Sequence, residues 1–75
     1  METDPQLHAV GVVVNGQSCT LAPGATVADV VAARCASPDG IAVARNREVV
    51  PRSAWSATPL GTGDRVEIVT AAAGG

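Results

Sequence analysis

The sequence predicts one small α+β domain in which a single main helix packs on one face of a mixed sheet of about four to five strands. Three observations carry this. Apolar residues alternate in the strand manner near both ends of the chain, at Val10, Val12 and Val14 and again at Val66 and Ile68. One helical stripe with a capping signature lies between them, from Val27 to Cys35. Finally, 75 residues leave room for one core and no second domain.

Residues 1–7 carry no periodicity and include Pro5, which makes them a disordered leader, and ordered structure is expected over residues 8–70. Val10, Val12 and Val14 share one parity, Asn15-Gly16 interrupts, and Cys19 and Leu21 resume the alternation against Ser18 and Thr20. Asn-Gly supplies the two left-handed residues of a type I′ turn, so this stretch is a β-hairpin. Pro23-Gly24 closes it. Thr26 then caps a helix with Asp29 in its first turn, and Val27, Val30, Val31 and Cys35 lay an apolar stripe along about three turns. Ser37-Pro38-Asp39-Gly40 ends that helix. Its valines lower its intrinsic propensity, so the helix must be held by packing against the hairpin.

Ile41 and Val43 begin a third strand, and Asn46-Arg47 reads as a tight turn. Val49-Val50 returns as a short or edge strand stopped by Pro51. The stretch from Ser53 to Pro59 surrounds Trp55 and reads as an irregular or single-turn helical excursion, with Trp55 itself packed against the sheet in preference to facing a partner. Val49, Val50 and Leu60 suit an exposed apolar docking patch and a core role equally well. Gly61-Thr62-Gly63-Asp64 turns the chain into Arg65-Val66-Glu67-Ile68-Val69, where Val66 and Ile68 point inward. The first and last strands are the two longest and are expected to pair centrally and in parallel through the intervening crossover. Residues 71–75, Ala-Ala-Ala-Gly-Gly, form a flexible tail with no side chain large enough to anchor it.

Composition narrows the function. A chain this short buries roughly 60 to 65% of its unfolded surface, which leaves little material for a deep substrate cavity and favours binding or carrying over catalysis. All five basic residues are Arg, seven acids outnumber them, and the net charge is −2, so nucleic acid and anionic membrane are poor partners. The single aromatic offers no stacking platform for bases. Cys19 and Cys35 are too few for a disulfide scaffold and form no metal-ligand motif, which fits a reducing, cytoplasmic setting. Each lies on an apolar parity and reads as a small buried hydrophobe, with nothing near it to activate the thiol. His8 has no companion ligand, so no metal is expected. The start is acidic where a secretory signal is basic, and no apolar run approaches a membrane span.

No Ser, Cys and His stand in a catalytic arrangement, so the chain is not expected to be an enzyme. One reactive group remains, the α-carboxylate of Gly75. To meet the α-phosphate of ATP in a partner's narrow channel, a carboxylate must arrive on a stem without bulk, and Gly74 and Gly75, extended by Ala73 and the alanines before it, meet that need.

These residues resemble the ThiS family of thiamine-biosynthesis sulfur carriers, small proteins of the ubiquitin-like β-grasp fold. The resemblance runs from about Val12 to Gly75. It rests on Val14-Asn15-Gly16, on Gly24-Ala25-Thr26-Val27-Ala28-Asp29, on Ile41-Ala42-Val43-Ala44 and on Val49-Val50-Pro51-Arg52-Ser53-Ala54-Trp55. It continues from Gly63-Asp64-Arg65-Val66-Glu67-Ile68-Val69-Thr70-Ala71 to the final Gly-Gly, and the Val-Pro-Arg-x-x-Trp segment is its most specific part. The resemblance implies a monomeric protein cosubstrate that binds no cofactor of its own. A ThiF-type adenylyltransferase uses ATP to adenylate Gly75, and sulfur drawn from cysteine by a desulfurase displaces AMP to leave a C-terminal thiocarboxylate. ThiG, the thiazole synthase, then accepts the sulfur. The small Ala71-Ala72-Ala73 departs from relatives that carry a larger residue before Gly-Gly. Two other readings share the fold and tail: a carrier for another product such as molybdopterin, and a ubiquitin-like modifier of protein lysines. The absence of Lys bars lysine-linked chains on the protein itself. A plain interaction module with an incidental Gly-Gly is the remaining reading, and Arg52 and Arg65 are expected to be ordinary solvated charges.

Overall fold

The computed structural model describes residues 9–70. Five strands, β1 (Val10–Val14), β2 (Gln17–Leu21), β3 (Ile41–Arg45), β4 (Glu48–Val50) and β5 (Arg65–Thr70), form one sheet in the order β2-β1-β5-β3-β4. Helix α1 (Val27–Arg34) covers one face, and a 3₁₀ helix (Arg52–Ala57) links β4 to the return toward β5. β1 and β5 run parallel, and every other pairing is antiparallel. β5 is the longest strand and the middle one, whereas β1 at five residues only equals β2 and β3, so length was a weaker guide than the crossover requirement.

Both hairpins turn on an asparagine. Asn15 and Gly16 take φ of 50° and 82°, the left-handed pair a type I′ turn needs, and the sheet's right-handed twist favours that turn over its mirror image. Asn46 and Arg47 do the same at 51° and 74°, placing an arginine where glycine is the residue without a steric penalty. Arg47→Gly is therefore expected to stabilise the protein by about 1 kcal/mol, read as a higher midpoint of chemical unfolding with an unchanged slope.

α1 begins as its sequence indicates. The Thr26 backbone N–H donates to Asp29 Oδ2 at 2.8 Å, and the Asp29 N–H donates to Thr26 Oγ1 at 3.3 Å, a reciprocal capping box. The helix is shorter than the stripe implies, eight residues rather than about three turns. Cys35 is its C-cap at φ −125° and ψ 140°, although its N–H still reaches the Val31 carbonyl at 2.9 Å. The reason lies downstream: Pro38 has no N–H to give the Arg34 carbonyl and its ring would collide with that oxygen, so the chain must already be extended before it. The helix start is also tied across the molecule, with the Val27 N–H on the Thr58 carbonyl at 3.0 Å and the Leu60 N–H on the Ala25 carbonyl at 2.9 Å.

The core between sheet and helix is built almost wholly of valine. Val12 and Val14 of β1, Val43 of β3, Val50 of β4 and Val66 of β5 face Val27, Val30 and Val31 of α1, and Leu60 and Trp55 complete it. Valine's branched Cβ suits the strands, but its reach is short, and the indole of Trp55 supplies volume that the other core residues lack. Trp55 is buried and its Nε1–H donates to the Val50 carbonyl at 2.8 Å, which fastens the 3₁₀ segment to edge strand β4. Val50 and Leu60 thus belong to the core, while Val49 is 75% exposed on the opposite face of the sheet. No helix among the described residues is long and apolar enough to cross a membrane.

Candidate functional site

Gly75, Gly74 and Ala73, the residues the sequence marks for chemistry, lie outside the described residues, as do the rest of the 71–75 tail, the 1–7 leader and His8. The described part of the site is the base of that tail: strand β5, the turn that launches it and the groups that hold its two edges.

The launching turn is organised by Asp64. Its Oδ2 accepts the Gly61 backbone N–H at 2.8 Å, its Oδ1 accepts the Asn46 Nδ2–H at 3.0 Å, and Arg45 Nη1 stands 3.8 Å from Oδ2. Gly63, at φ 91°, lets the chain reverse, and its N–H reaches the Gly11 carbonyl at 2.8 Å. The Gly61 N–H, then the Asn46 amide, and then the Arg45 guanidinium hold the Asp64 carboxyl below the usual carboxylate range of 3.8, against an opposing contribution from desolvation. A carboxylate whose pKa is lower folded than unfolded adds stability that is complete above the unfolded value and is withdrawn as pH falls through the folded value. Asp64→Asn is accordingly expected to cost about 1 kcal/mol near neutrality, with the deficit closing as pH falls below the ordinary carboxylate value of 3.8 and through the lower folded-state value, as measured by chemical unfolding across that range.

Asn46 does more than turn a hairpin. Its backbone N–H donates to the Arg65 carbonyl at 2.8 Å and its Oδ1 accepts the Arg65 N–H at 2.9 Å, so it grips the first residue of β5. Asn15 grips the same strand further along. Its backbone N–H donates to the Val66 carbonyl at 2.9 Å, its Oδ1 accepts the Ile68 N–H at 2.8 Å, and its Nδ2–H reaches the Ile68 carbonyl at 3.3 Å. Sequence reasoning placed both asparagines in turns and missed this second task. Their positions 19 and 53 residues from the strand atoms they hold carry no local signal.

The sheet face turned away from α1 carries Val49 and Val69, the two large apolar residues most exposed to solvent among those described. Pairing brings Ala44 opposite Val49 and Ala42 opposite Val69, with Arg65 and Glu67 on the same parity of β5. Arg65 is exposed, and Arg52 is paired at 3.2 Å with Asp39 between two solvent-facing side chains, a pair of small energetic worth.

Cys19 and Cys35, expected to be buried, are half-buried at the core margin, and the Arg34 Nη2–H donates to Cys19 Sγ at 2.7 Å, a neighbour that the sequence does not signal. Arg34 is the last helical residue, and the crossing of α1 over β2 creates the contact. Among the described residues no three His, Cys, Asp or Glu side chains gather as a metal site.

A five-stranded mixed sheet with parallel central strands and a single helix across one face is the ubiquitin-like β-grasp, and the site is a terminal strand held by turn residues on both edges. The ThiS family model matches residues 12–75, and the chain belongs to that family. A crystal structure described as the thiamine biosynthesis protein ThiS of Geobacter metallireducens superposes with a TM-score of 0.75 at 32% identity, covering 88% of this chain and 100% of that one. Comparison with curated proteins found no match.

Proposed function

We propose that this chain is a sulfur carrier of thiamine biosynthesis, a protein cosubstrate whose reactive group is the α-carboxylate of Gly75. The observation that carries the reading is the family match, which continues beyond the last described residue to Gly75 and so takes in the Gly-Gly terminus. It is supported by the described domain, which ends on a strand held along both sides at its start.

In this reading the folded domain is a handle and the tail is the substrate. An E1-like adenylyltransferase of the ThiF type brings the Gly75 carboxylate to the α-phosphorus of ATP, where an oxygen of the carboxylate displaces pyrophosphate. The acyl-adenylate converts an unreactive carboxylate into an acyl donor, and sulfur originating from a cysteine desulfurase displaces AMP. Glycine at both final positions lets the stem thread a channel too narrow for a Cβ. The thiocarboxylate is a soft nucleophile attached to a protein, so sulfur reaches ThiG, the thiazole synthase, without release of free sulfide. ATP belongs to the activating enzyme, and the carrier itself needs no cofactor.

The test is intact mass after incubation with the cognate adenylyltransferase, ATP and sulfide. The expected result is replacement of one oxygen by sulfur at Gly75, dependent on ATP. A mass that does not change, with an enzyme shown to be active on another carrier, overturns the proposal.

A further inference from the structure

The geometry points to Asn15 as a positioning residue for the tail, holding the end of β5 so that the stem toward Gly75 leaves the domain in one direction. The inference rests on the carrier reading above. It starts from an asymmetry in the sheet. On one side β5 is paired with β3 from Arg45↔Val66 to its last residue, Ile41↔Thr70. On the other side β1 reaches only Val14, which pairs with Val66, so no strand lies beside β5 beyond that point. A strand with one free edge twists and frays more readily than one held on both.

Asn15 continues the missing strand by one step. In a parallel ladder the residue that donates to the Val66 carbonyl also accepts from the Ile68 N–H; the Asn15 side-chain oxygen takes that acceptor's place at 2.8 Å, and its Nδ2–H adds a bond to the Ile68 carbonyl at 3.3 Å. The left-handed φ of 50° at Asn15 carries the main chain away into the hairpin while the side chain keeps the direction of β1. Ile68 stands two residues before the end of β5.

Five residues follow Thr70 and span at most about 17 Å, so a swing at the strand end shifts the whole region that the terminal carboxylate can reach. An activating enzyme that docks the domain and must also receive the tail binds more tightly when the swing has been removed beforehand, because less ordering remains to be done on binding.

Two variants separate positioning from stability. Asn15→Gly keeps the left-handed turn and removes the amide, and Thr26→Ala removes the capping oxygen at the start of α1, a comparable loss of stability away from β5. In Asn15→Gly, hydrogen exchange at the Ile68 N–H is expected to rise about five- to tenfold relative to core amides such as Val43, and the KM for the carrier in ATP-dependent activation to rise about fivefold with kcat within twofold. Thr26→Ala is expected to leave both readouts near wild type once corrected for global stability. Equal acceleration of all amides in Asn15→Gly, an unchanged KM, or the same KM rise in Thr26→Ala overturns the positioning role. If neither wild type nor variant is activated, the carrier reading falls, and the exchange at Ile68 still decides whether Asn15 holds β5.

Discussion

A chain shortened by Gly75 is expected to fold as the full chain does and to form no thiocarboxylate under conditions that convert the full chain completely. The two halves of this result have separate physical grounds. Every core residue of the described domain lies between Val12 and Val66, and glycine has no side chain, so loss of Gly75 takes no side chain from that core. Activation, by contrast, in the function proposed above, requires the carboxylate itself at the α-phosphorus of ATP. Removing one residue shortens the stem by up to about 3.5 Å, several times the displacement that costs about a hundredfold in a positioned reaction. Adding a residue after Gly75 is expected to have the same effect, because the carboxylate then overshoots and the new residue brings a Cβ into the channel. Thermal unfolding by circular dichroism checks the first half and ATP-dependent mass gain checks the second. An unfolded truncated chain, or one that is activated normally, contradicts the assignment of Gly75.

Trp55→Ala carries the largest expected effect on stability. Truncation of a buried tryptophan costs about 3 to 5 kcal/mol, and a domain of this size has roughly 4 to 11 kcal/mol in total. The loss falls in a core that has little with which to close the gap. Its other members are valines and one leucine, whose short side chains cannot reach into an indole-sized void. The Val50 carbonyl also loses the donor that tied the 3₁₀ segment to β4. Urea unfolding at 25 °C is expected to show a large unfolded fraction without denaturant. Trp55→Phe, which keeps most of the volume and loses the hydrogen bond, is expected to fall between the two. A Trp55→Ala midpoint within error of wild type would show that the indole is dispensable to the core.

These expectations draw on features of unequal legibility. The first hairpin could be read from five residues of alternation and Asn15-Gly16, because a type I′ turn depends on the φ of two adjacent residues and on nothing distant. The capping box was readable for the same reason, since Thr26 and Asp29 bond to one another. Trp55 was assigned to the core on size and apolarity, and it lies there. Val49, Val50 and Leu60 could not be separated by hydropathy. Only the pairing of Val43 with Val50 set which face Val50 shows, and Val49, one residue away, had to take the other. The end of α1 was misjudged because Cys35 fits the helical stripe as well as any residue in it, and the restraint from Pro38 acts from three positions downstream.

The candidate site divides in the same way. Gly74 and Gly75, proposed to carry the chemistry, lie outside the described residues, and the sequence marks them because the absence of a side chain is a property of the residue itself. The contact of Arg34 with Cys19 was not legible, since it arises from the crossing of a helix over a strand 15 residues earlier in the chain. Nor was the low pKa of Asp64, whose causes include the Asn46 amide, 18 positions away.

The sequence by itself determined the elements, both asparagine turns, the helix start, the inward parity of the strands and the thin Gly-Gly end. Each depends on dihedral preference or on periodicity over a few residues, and each operates before the chain is compact. Tertiary structure alone decided where β5 is held. Asn15 and Ile68 meet because the crossover brings the last strand beside the first, and the bond between them follows from a closure of 53 residues that no local rule contains.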